Sequence, residues 1–152
     1  MPLEYESQEF SDELKRRINT NKDYREKAHG MNWAILSFID DVPFATYSNY
    51  VNGELTDRKH ILPSEAEEYK KKVDFFVEIP TYDLSVEMAT GKKSLESMFL
   101  GGNLKMEGSI FKALQYRDAI ERVAKITAEL ANESVIPSRE DFAKTLKKLG
   151  LT

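Results

Sequence analysis

The 152 residues contain no cysteine. Disulfides, zinc–thiolate sites, iron–sulfur clusters and cysteine nucleophiles are therefore excluded. Histidine is scarce too. His29 and His60 are the only two, and they match no His-x-His, His-x3-His or His-Glu-x-x-His spacing, so no metal centre is expected. Long apolar runs are missing. The longest fully apolar stretch, Trp33-Ala34-Ile35-Leu36, falls far short of the roughly 20 residues a spanning helix needs. The opening Met1-Pro2-Leu3-Glu4-Tyr5-Glu6 has no basic region followed by an apolar run, so no secretory leader is expected. A cytoplasmic protein of a reducing compartment is the resulting expectation. A basic excess is also lacking: 22 Lys and Arg face 26 Asp and Glu, a net charge of −4. That sign disfavours nucleic acid as a partner. The charge is unevenly spread, at −6 over residues 1–104 and +2 over 105–152.

What is present is ordinary soluble composition, 41% hydrophobic and 32% charged. Area scaling gives roughly 25,000 Å² for the unfolded chain and roughly 8,000 Å² for the folded one, enough burial for a core without staples. One domain over residues 1–152 is expected. Phe10, Leu14, Arg17 and Ile18 follow helical spacing, and Thr20 with Asp23 resembles a capping box for a second helix from Asn21 to about His29. From Met31 to Ile39 the residues are β-branched and aromatic, apolar on both faces, as in a central strand. Phe44–Val51 and Glu54–Leu62 flank Asn52-Gly53, the signature of a type I′ hairpin. These three strands read as a meander whose last, polar member suits an edge. Pro63 to Glu67 predicts a short helix capped by Ser64. Val73–Ile79 alternates as a fourth strand, with Val73, Phe75, Val77 and Ile79 on the buried face. Thr81 caps a helix closed by Gly91, and Ser94 caps another ended by Gly101-Gly102. Leu104–Glu107 is a short fifth strand. One long helix is predicted from Ser109, with Ala113, Tyr116, Ile120, Val123, Thr127 and Leu130 as its apolar stripe. A final helix runs over 138–149. Residues 132–137 look like a linker. This order predicts an α+β fold, a five-stranded mixed or antiparallel sheet with helices mainly on one face.

Motifs for catalysis are weak. Asp40-Asp41 and Glu67-Glu68 are carboxylate pairs in a turn and at a helix start, where solvation leaves them ordinary. Gly91-Lys92-Lys93-Ser94 resembles a phosphate loop, but Val86 stands where its first glycine belongs. Gly108-Ser109 lacks the second glycine of a serine-hydrolase elbow. Tyr82, Tyr116 and Asp118 are the remaining polar groups near the apolar region described next, and an enzyme acting there on a hydrophobic substrate is the rival reading. No cofactor is implied.

The densest feature is a set of large, soft apolar side chains over 84–114, holding three of the five methionines. Methionine adapts to irregular shapes, and by pattern alone the set reads either as core or as a pocket. Within it, Thr90-Gly91-Lys92, Met98-Phe99, Gly101-Gly102-Asn103-Leu104-Lys105-Met106-Glu107-Gly108 and Ala113-Leu114 resemble the sterol carrier protein domain. The motif match covers about residues 73–116, and the predicted order of elements extends the resemblance to a domain core at about 10–130. The sequence departs from that pattern at Asn103, where lysine is usual, at Ser94, where proline is common, and in its extra C-terminal helix. Its Gly150-Leu151-Thr152 end is not a peroxisomal tripeptide. The resemblance implies a hydrophobic tunnel between sheet and helices that binds fatty acyl chains, acyl-CoA or sterol-like lipids without catalysis. The expected lining is Phe75, Val77, Leu84, Met88, Leu95, Met98, Phe99, Leu104, Met106, Ile110, Phe111 and Leu114. Lys92, Lys93 or Lys105 would meet an anionic head group. The expected partner is thus a hydrophobic small molecule or lipid, and a homodimer with a filled core is the third reading.

Overall fold

The computed structural model describes residues 2–152. Helix α1 (Gln8–Thr20) buries Phe10, Leu14 and Ile18, as their spacing predicts. Helix α2 (Lys22–Lys27) follows at once. Its cap is Asn21, whose side-chain oxygen accepts the Tyr24 N–H at 2.9 Å. Thr20, the expected cap, instead donates to the Arg16 carbonyl, the backward bond a mid-helix threonine makes. Strands β1 (Trp33–Ile39), β2 (Phe44–Val51) and β3 (Glu54–Ile61) form the antiparallel meander. Asn52 and Gly53 between the last two both have positive φ, 49° and 81°, as a type I′ turn demands.

The chain then crosses to the other side of β1. Pro63–Glu65 is a single 3₁₀ turn, and helix α3 is only Ala66–Lys70. Ser64 does not cap it; the Glu65 carboxylate accepts the Leu62 N–H at 3.1 Å instead. Strand β4 is Phe75–Ile79 and pairs parallel with β1. It starts two residues later than the alternation suggests, because Asp74 turns its carboxylate onto the Ala34 N–H at 2.9 Å. Val73 packs on the other side of the sheet from Phe75. Helices α4 (Tyr82–Ala89) and α5 (Leu95–Leu100) lead to β5 (Lys105–Gly108), antiparallel to β4. The strand order is β3-β2-β1-β4-β5.

The single long helix expected from Ser109 is two helices, α6 (Ile110–Gln115) and α7 (Arg117–Glu133). Tyr116 breaks them, at φ −112° and ψ 27°. Helix α8 (Arg139–Lys148) ends the fold with Ser138 as its cap. Residues 132–137 are more than a linker. Val135 exchanges backbone hydrogen bonds with Leu3 and Tyr5, at 2.7 and 2.8 Å, which ties the start of the chain to the end of α7.

Alternation along the strands sorts the core. Trp33, Ile39, Phe44, Phe75, Val77 and Ile79 face the larger cluster, shared with α1, α2, α4, α5, α7 and α8. Leu36, Ala45 and Ile61 face a smaller one, covered by Ala66 and Tyr69 of α3. The accessible surface is 8517 Å², close to the roughly 8,000 Å² that size alone predicts.

Candidate functional site

Three serine or threonine caps and two glycine stops set out the apolar stretch. The hydroxyls of Thr81, Ser94 and Ser109 accept the N–H groups of Leu84, Ser97 and Lys112, at 3.0, 3.0 and 3.2 Å, and so fix where α4, α5 and α6 begin. After α4 the Gly91 N–H donates to Met88 O and the Lys92 N–H to Glu87 O, with Gly91 at φ 83°. After α5 the Gly102 N–H donates to Phe99 O and the Asn103 N–H to Met98 O, with Gly102 at φ 75°. Both are Schellman closures, which consume helix-end carbonyls and need a left-handed residue. The Thr-Gly-Lys and Gly-Gly-Asn steps are therefore helix stops. Neither cradles a phosphate.

These turns fold the stretch against β4 and β5. Phe75, Val77, Met98 and Leu104 are buried. Leu84, Met88, Leu95 and Met106 are half-buried and pack on the large cluster. Phe99 is half-buried as well. Ile110, Phe111 and Leu114 point outward, with Phe111 81% exposed, and α6 contributes no buried residue. Leu100, at the end of α5, is 76% exposed as well. The inner wall is aromatic: the Phe75 ring meets Trp33 edge-on at 5.0 Å, and Trp33 meets Tyr116 at 5.5 Å. Trp33 went unmarked in the sequence reading. It is the sole tryptophan, it is buried, and among the described residues its indole N–H has no acceptor.

Lys92, Lys93 and Lys105 are all exposed. Lys93 stands 3.4 Å from Glu87 and Lys105 3.7 Å from Glu78. Among the described residues Lys92 has no carboxylate within reach. The polar groups of the rival reading do not converge. Tyr82 donates its hydroxyl to Pro137 O at 2.8 Å and stacks on Phe142, and burial pushes its phenol pKa well up. Tyr116 lies on Trp33, and Asp118 is exposed on α7. Of the carboxylate pairs, Asp41 accepts the Tyr82 N–H at 2.7 Å at the start of α4. Asp40 is raised by burial and by neighbouring Glu78. Glu67 and Glu68 are exposed on α3.

No protein-family model matches the chain, and no curated protein does. Solved structures do match. A solution structure of the conserved hypothetical protein TT1886 from Thermus thermophilus, a candidate sterol carrier protein, aligns with TM-score 0.70 and 20% identity, over 88% of this chain and 92% of that one. A crystal structure of sterol carrier protein 2 aligns with TM-score 0.66 and 20% identity, over 81% and 96%. A segment of the stereoselective inverting sec-alkylsulfatase Pisa1 from Pseudomonas sp. aligns with TM-score 0.50 and 21% identity, over 72% of this chain and 15% of that one. The chain therefore has the α+β fold of sterol carrier proteins, with its mixed five-stranded sheet. Among the described residues no helix is long and apolar enough to cross a membrane.

Proposed function

We propose that this protein binds and carries a hydrophobic ligand, a fatty acyl chain, acyl-CoA or a sterol-like lipid, without acting on it chemically. The observation that carries the reading is an incompletely covered apolar layer on a sterol carrier fold. Leu84, Met88, Leu95, Phe99 and Met106 are half-buried around buried Phe75, Val77, Met98 and Leu104. An apolar ligand slid between them would remove the remaining area from water. A 16-carbon chain gains roughly 12 kcal/mol gross at about 0.8 kcal/mol per methylene. Association and ordering cost about 4–15 kcal/mol, so binding would be reversible, as a carrier requires. The unpartnered Trp33 N–H supplies a donor for a carbonyl or hydroxyl at the buried end of such a ligand. Lys92, Lys93 and Lys105 supply exposed cations for an anionic end. We read the chain as one domain and as cytoplasmic, which suits a soluble shuttle.

Trp33 is also the probe. Titrating the protein with a fluorescent fatty acid should quench or shift Trp33 emission saturably, and native mass spectrometry after mild purification should find lipid bound. Met98→Gln and Met106→Gln should each weaken binding by about tenfold, by setting an amide in the apolar wall. Unchanged Trp33 emission with every chain length tried, and no co-purifying lipid, would sink the reading.

A further inference from the structure

Asn52-Gly53 is the only Asn-Gly pair in the chain. Besides setting the hairpin, it brings together the two partners of a reaction that needs no enzyme. The Gly53 nitrogen can attack the Asn52 side-chain carbonyl carbon and close a cyclic imide. In that step the Gly53 nitrogen loses its proton, a C–N bond forms, and the side-chain nitrogen leaves as ammonia. Water then opens the ring at either carbonyl and leaves aspartate or isoaspartate. Glycine in second place makes closure easiest, because no Cβ hinders its nitrogen. Closure has two requirements: a free Gly53 N–H, and an Asn52 side chain able to turn onto it. The fold meets neither. The Gly53 N–H donates to Met31 O at 2.8 Å, and the Tyr24 hydroxyl donates to Gly53 O at 2.6 Å. Asn52 Oδ1 accepts the Gly30 N–H at 2.6 Å, and the Asn52 N–H donates to Asn32 Oδ1 at 2.8 Å. All of these hooks come from α2 and from residues 30–32, the segment that leads out of α2 into β1. Asn52 itself is exposed, so water reaches it, and the hydrogen bonds rather than burial stand in the way.

We infer that Asn52 is a latent modification site guarded by α2 and residues 30–32, and that it deamidates only when this unit lifts from the β2–β3 turn. Such local openings span free energies from near zero up to that of global unfolding, so the rate of the mark reads how often the unit lifts. The mark is also one-way. Isoaspartate lengthens the main chain by a methylene and moves the Gly30 acceptor into the backbone. A two-residue turn with positive φ at both positions, 49° and 81° here, has no place for the extra atom. The Tyr24 hydroxyl and the Gly30 N–H then lose their acceptors, and α2 stays released. This site is independent of interior carriage, since none of its residues belongs to the apolar wall.

The test follows deamidation of the full chain at mildly alkaline pH. Trypsin leaves residues 28–58 as one peptide, and its fragment ions separate Asn52 from Asn32 and Asn49, which should stay unmodified. The chain unfolded in urea should modify Asn52 about tenfold or more faster than the folded chain. Tyr24→Phe removes the hook on Gly53 O and should raise the folded-state rate about three- to tenfold, the effect of one lost buried hydrogen bond. Asn32→Ala, at an exposed residue, frees the Asn52 N–H and should act in the same direction. Phe142→Ala loosens the opposite end of β2, where Phe142 meets Phe44, and should leave the rate at that of the wild type. Equal rates in the folded and unfolded chains, or no acceleration in either hook variant, overturn the proposal. Acceleration by Phe142→Ala as great as by Tyr24→Phe also overturns it, by assigning the reaction to unfolding of the whole chain.

Discussion

Gly108 ends β5 at φ 139°, a conformation side chains rarely adopt. A Cβ there would stand 2.5 Å from the Asp74 carbonyl and 2.5 Å from the Phe75 ring. Neither neighbour can give way easily, since one is backbone and the other is held edge-on by Trp33. Gly108→Ala is therefore expected to cost about 2–4 kcal/mol, from backbone strain and overpacking together. Urea denaturation followed by far-UV circular dichroism would measure it, and a midpoint equal to wild type would show that the β4–β5 edge adapts. The consequence reaches the candidate site, because Phe75 is the residue displaced. Gly53 is a second such position: a Cβ would lie 2.6 Å from the Ala28 carbonyl, where α2 closes over the hairpin. There the Tyr24 hydroxyl donates to Gly53 O at 2.6 Å, so one residue joins turn and helix.

Helix α8 shows what a single element contributes. Phe142 stacks on Tyr82 at 4.7 Å and meets Phe44 edge-on at 5.0 Å, and both Phe142 and Leu146 are buried. Helix α8, read from sequence as an addition to the core, thus closes one end of the large cluster. Phe142→Ala should cost about 3–5 kcal/mol, as for any fully buried aromatic. Thermal melting would check it, and a loss near zero would mean that α8 rests on the surface. The start of α8 was legible because Ser138 placed a hydroxyl at an orphan N–H, and the same local chemistry made Thr81, Ser94 and Ser109 readable. The Asn52-Gly53 hairpin was legible for a similar reason, its turn type being written in two residues. The break at Tyr116 was not. Residues 110–130 are all compatible with one helix, and what interrupts them is tertiary: the Tyr116 ring lies on Trp33, and Arg117 reaches Glu96 of α5 at 3.2 Å. The orientation of the apolar stretch was equally hidden. Composition marks 84–114 as apolar, but α6 spans under two turns, too few for periodicity to say which side chains face in. Trp33 escaped notice because a lone aromatic in a strand carries no pattern of its own, and its part in the wall depends on β4 arriving parallel beside it.

The molecule as a whole is bracketed by titratable groups whose pKa values folding shifts at both ends of the pH scale. His60 packs its ring on Phe44 at 4.7 Å and stands 3.3 Å from the Thr46 hydroxyl. Burial lowers its pKa below the ordinary 6.5, and nearby Arg58 lowers it further, against an opposing pull from Glu6. Arg58 and Glu6 themselves form a mostly buried pair at 2.8 Å, so the imidazolium would enter a site whose charge is already balanced. Below pH 6.5 the unfolded chain takes up the His60 proton and the folded one resists it, so stability falls with pH in that window. Glu13, held by hydrogen bonds from Arg16 and Arg17, is lowered to about 2. Its stabilising contribution is present above the ordinary 4.5 and fades as pH falls toward 2. On the alkaline side burial raises Tyr50 to about 12 and pushes Tyr5, Tyr24 and Tyr82 higher still. Unfolded tyrosines release their protons from about pH 10, so stability is lost as pH climbs past that point. Thermal midpoints of the full chain should therefore form a plateau between about pH 6.5 and 10 and fall on both sides. His60→Leu should flatten the upper part of the acid limb, just below about pH 6.5, and leave the carboxylate-driven fall at lower pH and the alkaline limb unchanged. An acid limb of the same slope in that variant would show that the loss does not come from His60.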